Sequence, residues 1–401
     1  GVTNEERKTM PPLPFETTEY QSRIRRTKER MAAGGIEVLL AADPANMNYL
    51  TGYDGWSFYT PQCVVVALDL DEPLCIVRGM DANGAKVTTF LKHENIIGFP
   101  DHYVQHAERH PFDYVAQMLT ERRLDAKHVG VETDAYYFTA ACFDSLKRNL
   151  PTARFANANL LVNWVRIVKS PREIEYMRQA ARIMNQLMRK AVDAVTPGVR
   201  QCDAVAAIYH AQIAGTPEYG GDYASFVPML PTGIGTSTPH LTWSDARFVA
   251  GEATILELGA CRHRYHCPQA RTVFLGKPPQ KLVDTEKVVV EGLNAALAAA
   301  KPGVPCEEVE AAWRAVIARH GIVKESRIGY AVGCNYPPDW GEHTASLRPG
   351  DKTVLEPNIT FHCIPGLWMD DWGLEISECF RVTEKGAEPF CDVPRQLFVK
   401  E

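Results

Sequence analysis

A short pattern occurs twice in the second half of the chain and constrains its fold more than any other feature. The segment TPGVRQCDAVAA at residues 196–207 resembles KPGVPCEEVEAA at residues 301–312. Each copy follows a long amphipathic helical pattern, opens a shorter one and is followed by strand patterns. Two related halves, offset by about 105 residues, predict a pseudo-twofold α+β domain with a site at the seam between the halves.

The 401 residues are too many for one ordinary hydrophobic core. Before the repeat, strand patterns such as residues 36–42 and 62–70 alternate with helical patterns, which predicts an α/β domain. A helix start follows, with Ser170 as N-cap, Pro171 in the first turn and Glu173 completing a capping box. The predicted domains are therefore residues 1–165 and 166–401.

Charge and composition exclude several classes of function. The net charge of −6 supplies no basic surface for nucleic acid or for anionic lipid. No apolar run reaches the roughly 18 residues of a membrane span, and the polar N-terminus lacks the apolar core of a signal peptide. The eleven cysteines form no CxxC pair. Reduced thiols in a cytoplasmic protein are the expectation.

Residues 256–278, LELGACRHRYHCPQARTVFLGKP, have the frame of a metal-binding hairpin. Two strand patterns flank a turn and close on Arg-Thr and Gly-Lys-Pro. A hairpin that clamps two cations needs a hard oxygen ligand at two places. The chain has Glu257 at the first place and Pro268 at the second, and proline has no side-chain donor. The pattern indicates a metal-site frame without its metal.

These segments resemble the pita-bread family of methionine aminopeptidase, prolidase, proline aminopeptidase and creatinase. The resemblance extends to residues 46–56 (NMNYLTGYDGW), 347–359 (LRPGDKTVLEPNI) and 373–388 (GLEISECFRVTEKGAE). It implies an α/β N-terminal domain and an α+β pita-bread C-terminal domain. The five positions that hold metal ligands in the peptidases are occupied here by Glu257, Pro268, Tyr330, Glu356 and Ser377. The resemblance therefore implies no metal centre and no cofactor.

Creatinase is the family's metal-free hydrolase, and it relies on a loop histidine. The loop at residues 225–243 resembles its counterpart, with His240 as the match. Two features of creatinase are absent, a carboxylate at position 270, which is Ala270, and an arginine in residues 335–347. These departures argue against creatine as the substrate. The segments NYLTGYDGWSFYTPQ, GCNYPPDW and GLWMDDWGLEIS are most similar to the family's enzymes that open a cyclic amidine, and this resemblance implies a hydrolase for a small cyclic amidine.

The expected roles follow from the chemistry of such a substrate. If the fold is right, Glu257 and Glu356 lie on neighbouring strands, where their repulsion raises one pKa and a cationic amidinium relieves it. His240 has the intrinsic pKa for proton transfer. Two routes stay open: Glu257 attacks the ring carbon directly, or Glu257 and His240 activate water.

Five further side chains are candidates for binding the substrate. Trp340 lies in a turn-rich stretch, and its aromatic face suits a delocalised cation. Tyr53 and Trp56, from the N-terminal domain, are expected to complete the site of the other subunit in a homodimer, as the resemblance implies. Tyr330 either bonds the substrate carboxylate or fills vacated space, and Gln269 either recognises an amide or packs.

Two other interpretations compete with this one. A metal-dependent Xaa-Pro peptidase with atypical ligands is the first, and a non-catalytic pita-bread binding module is the second. The pairing of His240 with Glu257 and Glu356 favours the hydrolase over the binding module.

Overall fold

The computed structural model describes residues 4–401. It divides into two compact units, one ending at Arg166 and the other beginning at Ile167. Among the described residues, no helix combines the length and apolarity that crossing a lipid bilayer requires.

The first unit is an α/β arrangement around a mixed six-stranded sheet in the order β4-β3-β2-β1-β5-β6. Its helices and strands, in chain order, are α1 Asn4–Lys8, α2 Thr17–Ala33, β1 Val38–Ala41, α3 Pro44–Thr51, β2 Cys63–Ala67, β3 Leu74–Arg78, α4 Asp81–Thr88, β4 Ile96–Phe99, α5 Pro111–Glu121, β5 His128–Val131, α6 Ala140–Asn149, β6 Arg154–Asn157 and α7 Leu161–Val165.

Strand β1 shows why this sheet is buried on both faces. All four of its residues are buried, and successive side chains point to opposite faces of a strand. Val38 and Leu40 accordingly belong to one hydrophobic cluster and Leu39 and Ala41 to another. Continuous apolar strands between two covered faces are the pattern expected of an α/β sheet.

The second unit contains a five-stranded sheet in the order β10-β9-β11-β14-β15, a three-stranded sheet β16-β8-β7 and the ribbon β12-β13. Its elements are α8 Pro171–Ala194, α9 Gln201–Ala214, β7 Ala253–Arg262, β8 Tyr265–Leu275, α10 Gln280–Ala299, α11 Cys306–Ala318, β9 Gly329–Val332, β10 Gly341–Leu347, β11 Thr360–Cys363, β12 Gly366–Trp368, β13 Gly373–Glu375, β14 Glu378–Thr383, β15 Gly386–Pro389 and β16 Phe398–Lys400.

Helix α8 begins with the predicted capping box. The Ser170 Oγ accepts a hydrogen bond from the Glu173 N–H at 3.3 Å, and the Glu173 carboxylate accepts one from the Ser170 N–H at 3.0 Å. Pro171 occupies the first turn, where its missing N–H costs nothing. The local sequence therefore determines this helix start.

The internal repeat is visible in the backbone. The first copy joins α8 to α9 and the second joins α10 to α11. The glycines of the two Pro-Gly-Val segments, Gly198 and Gly303, both adopt φ 86°. Their N–H groups donate to equivalent carbonyls, those of Phe248 at 2.8 Å and Leu355 at 2.9 Å. The predicted fold class, α/β followed by a pseudo-twofold α+β pita-bread unit, is confirmed.

Candidate active site

The second unit encloses a cavity of about 270 Å³. This volume lies just below the range of roughly 300–1,000 Å³ typical of sites for drug-sized ligands, so it suits a small molecule. The residues that line it are Phe226, Pro239, His240, Glu257, Ser326, Arg327, Gly329, Tyr330, Asp339, Ile364, Trp368 and Glu375.

Glu257 reaches the cavity from β7, in the antiparallel β7–β8 hairpin. The register places Glu257 opposite Ala270, and Gly259 opposite Pro268. On its other side, Glu257 exchanges two backbone hydrogen bonds with Met229, at 3.0 and 3.1 Å. Glu257 is therefore held between a strand and the start of the loop that carries His240.

Glu375 is the second carboxylate of the cavity, at the end of β13. The Thr272 hydroxyl on β8 donates to the Glu375 carbonyl at 2.9 Å and accepts from the Glu375 N–H at 3.0 Å. These two bonds fix the backbone of Glu375 beside the hairpin that carries Glu257. The Arg-Thr pair that closes the hairpin pattern thus has a structural role, because its threonine positions a carboxylate.

The two carboxyl groups share a buried environment. Glu375 is fully buried, and within residues 4–401 neither of its carboxyl oxygens receives a hydrogen bond from a protein donor. Burial raises the pKa of Glu257 to about 7, with Asp339 adding to the rise. Burial and the neighbouring Glu257 hold the pKa of Glu375 well above its usual value. Two neighbouring buried carboxyls cannot easily both ionise, so the pair favours a state with a proton bound.

The loop of His240 is anchored near the same carboxylates. Residues 229–232 run alongside β7 as isolated bridges, Met229 with Glu257 and Thr232 with Thr254. The Thr236 hydroxyl accepts a hydrogen bond from the Gly373 N–H at the start of β13, at 3.1 Å. His240 itself is exposed and lines the cavity. The structure thus brings His240 and Glu257 to one cavity.

The prediction that Glu356 lies on a strand beside Glu257 is wrong. Glu356 is exposed, lies outside the cavity lining and precedes a turn at Pro357 and Asn358. Asn358 adopts φ 72°, a left-handed conformation that asparagine tolerates. The strand β11 begins only at Thr360, so the sequence LEPN is a turn here, and Glu375 takes the place predicted for Glu356.

A chain of hydrogen bonds begins at Tyr330, which lines the cavity, and continues through side chains that do not line it. The Tyr330 hydroxyl accepts from the Trp340 Nε1–H at 2.7 Å and lies 2.9 Å from His362 Nδ1. His362 Nε2 lies 2.7 Å from the Ser377 Oγ, which also accepts from the Ala270 N–H at 2.7 Å. Tyr330 and Ser377, at two of the positions where the resemblance implies metal ligands in the peptidases, are joined here through His362.

Burial keeps this chain neutral. It lowers the pKa of His362 to about 3 and raises the pKa of Tyr330 well above its usual value, Glu257 adding to the rise. In the assignment that gives both nitrogens of His362 a partner, Tyr330 donates to His362 Nδ1, and His362 Nε2 donates to Ser377. The sequence showed no signal for His362, which pairs with Tyr330 across the sheet.

Two of the predicted substrate-binding residues do not reach the cavity. Trp340 is fully buried and packs against the backbone of Gly259, where a Cβ atom would come within 2.4 Å of the indole. It supports Tyr330 from behind and does not line the cavity. Gln269 is also fully buried. It lies opposite Leu258 in the hairpin, and alternation along the strand places it on the face away from Glu257.

Tyr53 and Trp56 lie in the first unit. The Tyr53 ring is buried, and its hydroxyl lies 2.5 Å from the Ser57 Oγ, which donates to Gln62 at 2.8 Å. Trp56 is 60% exposed and packs against Phe58, with ring centroids 4.6 Å apart. Their participation in a site shared between two subunits stays a prediction.

The side chains at the cavity do not fit a dinuclear metal centre. Within residues 4–401, no group of three or more histidine, cysteine, aspartate or glutamate side chains is arranged to hold a metal ion. Pro268 offers no donor, and both ring nitrogens of His362 already have partners. The carboxyls that line the cavity are Glu257, Glu375 and Asp339, and burial raises the pKa of Glu257 and Glu375.

Comparisons with known proteins agree with this architecture. Residues 23–168 match the creatinase/prolidase N-terminal domain, and residues 175–384 match metallopeptidase family M24. The ectoine hydrolase of Halomonas elongata is 48% identical over 395 residues, which cover 97% of this chain and 99% of that protein. An uncharacterized hydrolase/peptidase of Sinorhizobium fredii is 48% identical over 389 residues, with the same coverage of both chains.

Among solved structures, a prolidase from Thermococcus sibiricus has the same fold. It superposes with a TM-score of 0.81 at 20% sequence identity, covering 96% of this chain and all of that one. With both domain matches in chain order and relatives at 48% identity along almost the full length, this chain belongs to the pita-bread family of hydrolases as a creatinase-like member.

Proposed function

We propose that this hydrolase opens the ring of ectoine, a cyclic amidine that carries one carboxylate, without a metal ion. The observation that carries the proposal is the buried pair of Glu257 and Glu375, whose pKa values are both raised. The 48% identity to the ectoine hydrolase of Halomonas elongata supports the choice of substrate.

The carboxyl pair accounts for binding of a cation. An amidinium group has a positive charge spread over an N–C–N unit with N–H donors. Its arrival compensates the negative charge of the pair and supplies donors to Glu375, whose oxygens have none from the protein. Charge-assisted hydrogen bonds of this kind are about twice as strong as neutral ones. Glu375 therefore takes the role of binding the amidinium.

Hydrolysis requires a nucleophile at the ring carbon and a proton for the departing nitrogen. In the direct route, the Glu257 carboxylate adds to the carbon and a water molecule later cleaves the resulting acyl bond. In the other route, Glu257 and His240 remove a proton from a water molecule that adds to the carbon. In both, one C–N bond breaks, His240 delivers a proton to the nitrogen, and one water is consumed to give an N-acetyl-diaminobutyrate.

The donor set supports metal independence. The family name implies metal chemistry, but the cavity combines a buried carboxyl pair with a neutral hydrogen-bonded chain through Tyr330, His362 and Ser377. No step proposed here passes through a metal. A homodimer in which Tyr53 or Trp56 completes the partner's site belongs to the same proposal.

Product analysis with and without metal tests the proposal. Purified protein is treated with EDTA, its metal content is measured, and it is incubated separately with ectoine and creatine before mass spectrometry. We expect one water to be added to ectoine, no change in creatine and full activity after EDTA. Stoichiometric manganese, cobalt or zinc with loss of activity on removal would favour a metal-dependent peptidase. Turnover of neither compound would favour a binding module.

The two chemical routes are separated by trapping. The His240→Ala variant is mixed with ectoine, quenched in acid during turnover and examined by mass spectrometry of the peptide containing Glu257. The direct route predicts an adduct on that peptide. A time course with product and no adduct would leave the water route.

A further inference from the structure

Arg327 adds a positive charge to a cavity whose lining includes three carboxyl groups. It lies just before β9, is exposed and is the one lysine or arginine among the residues that line the cavity. Glu257, Asp339 and Glu375 line the same cavity. A substrate with a positive ring and a negative carboxylate therefore meets groups of both signs.

The contacts of Arg327 orient its guanidinium group and leave some of its N–H donors available. Its Nη1 donates to the Ser346 Oγ at 2.8 Å, and its guanidinium carbon lies 4.8 Å from the centroid of the Tyr330 ring. Within residues 4–401, Ser346 is its only hydrogen-bond partner and it has no carboxylate partner. Its Nε and Nη2 donors are thus available to a ligand.

The nearby lysine differs in this respect. Lys324 Nζ donates to the Ser326 Oγ at 2.7 Å and to the Gly366 carbonyl at 2.6 Å. It lies 4.3 Å from the Trp368 ring centroid. Lys324 thus uses its contacts to hold Ser326 and Trp368 at the cavity. Arg327 is oriented by its contacts but retains its Nε and Nη2 donors for a ligand.

We propose that Arg327 binds the carboxylate of the substrate and thereby determines specificity for carboxylated amidines. This inference rests on the proposed function and adds to it a recognition group for the end of the substrate that does not react. An arginine presents paired N–H donors whose geometry matches the two oxygens of a carboxylate.

Repulsion between the substrate carboxylate and the carboxylates of the cavity strengthens the selection of one orientation of the substrate. A substrate carboxylate placed toward Glu257, Glu375 and Asp339 would meet like charges, whereas at Arg327 it meets an opposite charge. Binding the substrate at both ends therefore orients the amidinium toward the carboxyl pair. The Tyr330 ring lies beside the Arg327 guanidinium, and Glu257 contributes to the raised pKa of Tyr330. Tyr330 therefore interacts with both Arg327 and Glu257.

The test uses two substrates that differ only in the carboxylate, ectoine and the same methylated ring without it. For Arg327→Met, we expect kcat/KM for ectoine to fall about 100-fold, chiefly through KM, because hydrogen bonds to a charged group contribute on this scale. For the ring without the carboxylate we expect a change below about threefold, since the lost partner is absent. Arg327→Lys should recover part of the loss for ectoine.

Two further variants complete the comparison. Arg319→Met removes an exposed arginine paired with Glu291 outside the cavity, and should change neither substrate's kinetics. Ser346→Ala removes the hydroxyl that orients Arg327 and should raise KM for ectoine severalfold, with the same selectivity. Thermal unfolding of each variant checks that the fold is intact.

The outcomes separate this inference from the proposed function. If wild-type protein opens ectoine but Arg327→Met and Arg327→Lys lower kcat/KM equally for both substrates, Arg327 is not the carboxylate partner and the proposed function stands. If wild-type protein opens neither ring, the proposed function fails and this inference fails with it.

Discussion

Two sets of polar side chains at the cavity differ in their hydrogen bonding. The carboxyl wall is Glu257 and Glu375, and the neutral wall is Tyr330 with the residues bonded in sequence to it, His362 and Ser377. On one wall, Glu375 has no protein donor within residues 4–401 and shares a buried environment with Glu257. On the other, the Tyr330 hydroxyl, both nitrogens of His362 and the Ser377 hydroxyl all have partners. A buried network in which the polar groups have partners is rigid. A buried carboxyl pair that lacks donors can instead accept hydrogen bonds from a ligand. The comparison favours the proposal that the carboxyl wall takes part in the chemistry and that the neutral wall supports it.

The largest expected effect is at the reactive wall. Replacement of Glu257 by Gln keeps the shape but removes the negative charge in both chemical routes. We expect the rate of ectoine opening to fall about 10⁴-fold or more, measured as kcat by product mass spectrometry. Glu308→Gln, at an exposed position of α11, is the matched control. Retention of more than a tenth of wild-type activity in Glu257→Gln would remove Glu257 from the chemistry.

The next effect is that of His240. His240→Ala removes the group assigned to proton transfer, and we expect kcat to fall about 10²–10⁴-fold. His320→Ala, another exposed histidine of the second unit, should leave kcat unchanged. Equal activities in the two alanine variants would contradict the assignment of His240.

Stability should respond in opposite directions at the two walls, beginning with Glu375. The pKa of Glu375 is raised in the folded state above its unfolded value of 4.5. The contribution of its protonated carboxyl to the free energy of unfolding is therefore complete below pH 4.5 and is lost as pH rises through the folded pKa. The glutamine of Glu375→Gln cannot ionise, so the variant avoids this loss. Relative to wild type, its free energy of unfolding should be nearly equal at pH 4.5 and higher by about 1–3 kcal/mol above pH 7. Urea unfolding at several pH values measures this gain, and turnover should fall.

A matched glutamate shows why the partner matters. Glu378 is buried against Arg271, with 2.6 Å between Oε1 and Nη2. Glu378→Gln should destabilise the fold, since it leaves a buried guanidinium without its carboxylate. If Glu375→Gln and Glu378→Gln destabilise equally, the distinction between a carboxyl without a protein donor and one paired with an arginine is wrong.

The smallest effect is expected at the neutral wall. Tyr330→Phe leaves the Trp340 N–H and the His362 Nδ1 without a partner, which costs about 1–3 kcal/mol. Unfolding in urea should show this loss with little dependence on pH between 5 and 8, because the pKa of His362, about 3, lies below that range. A fall in kcat larger than that of His240→Ala would make Tyr330 part of the chemistry rather than its support.

Alternation of side chains explains one success and one failure of the sequence. The hairpin pattern predicted a strand carrying Glu257 toward the site, and the structure agrees. Gln269 was predicted at the same site, yet it lies one residue from Ala270, the partner of Glu257. Residues adjacent along a strand face opposite ways, but applying this rule needs the register. The turn at His263 and Arg264 sets that register, with positive φ at both residues.

Local sequence alone determined the capped start of α8, the repeated Pro-Gly-Val turns and the β7–β8 hairpin, because each depends on residues close together in the chain. Tertiary structure decided which carboxylate faces Glu257. The motif around Glu356 looks like a strand, but the chain turns at Asn358 and β11 begins at Thr360. Glu375 reaches the site through Thr272, 103 residues away in the chain, a contact that no local pattern encodes.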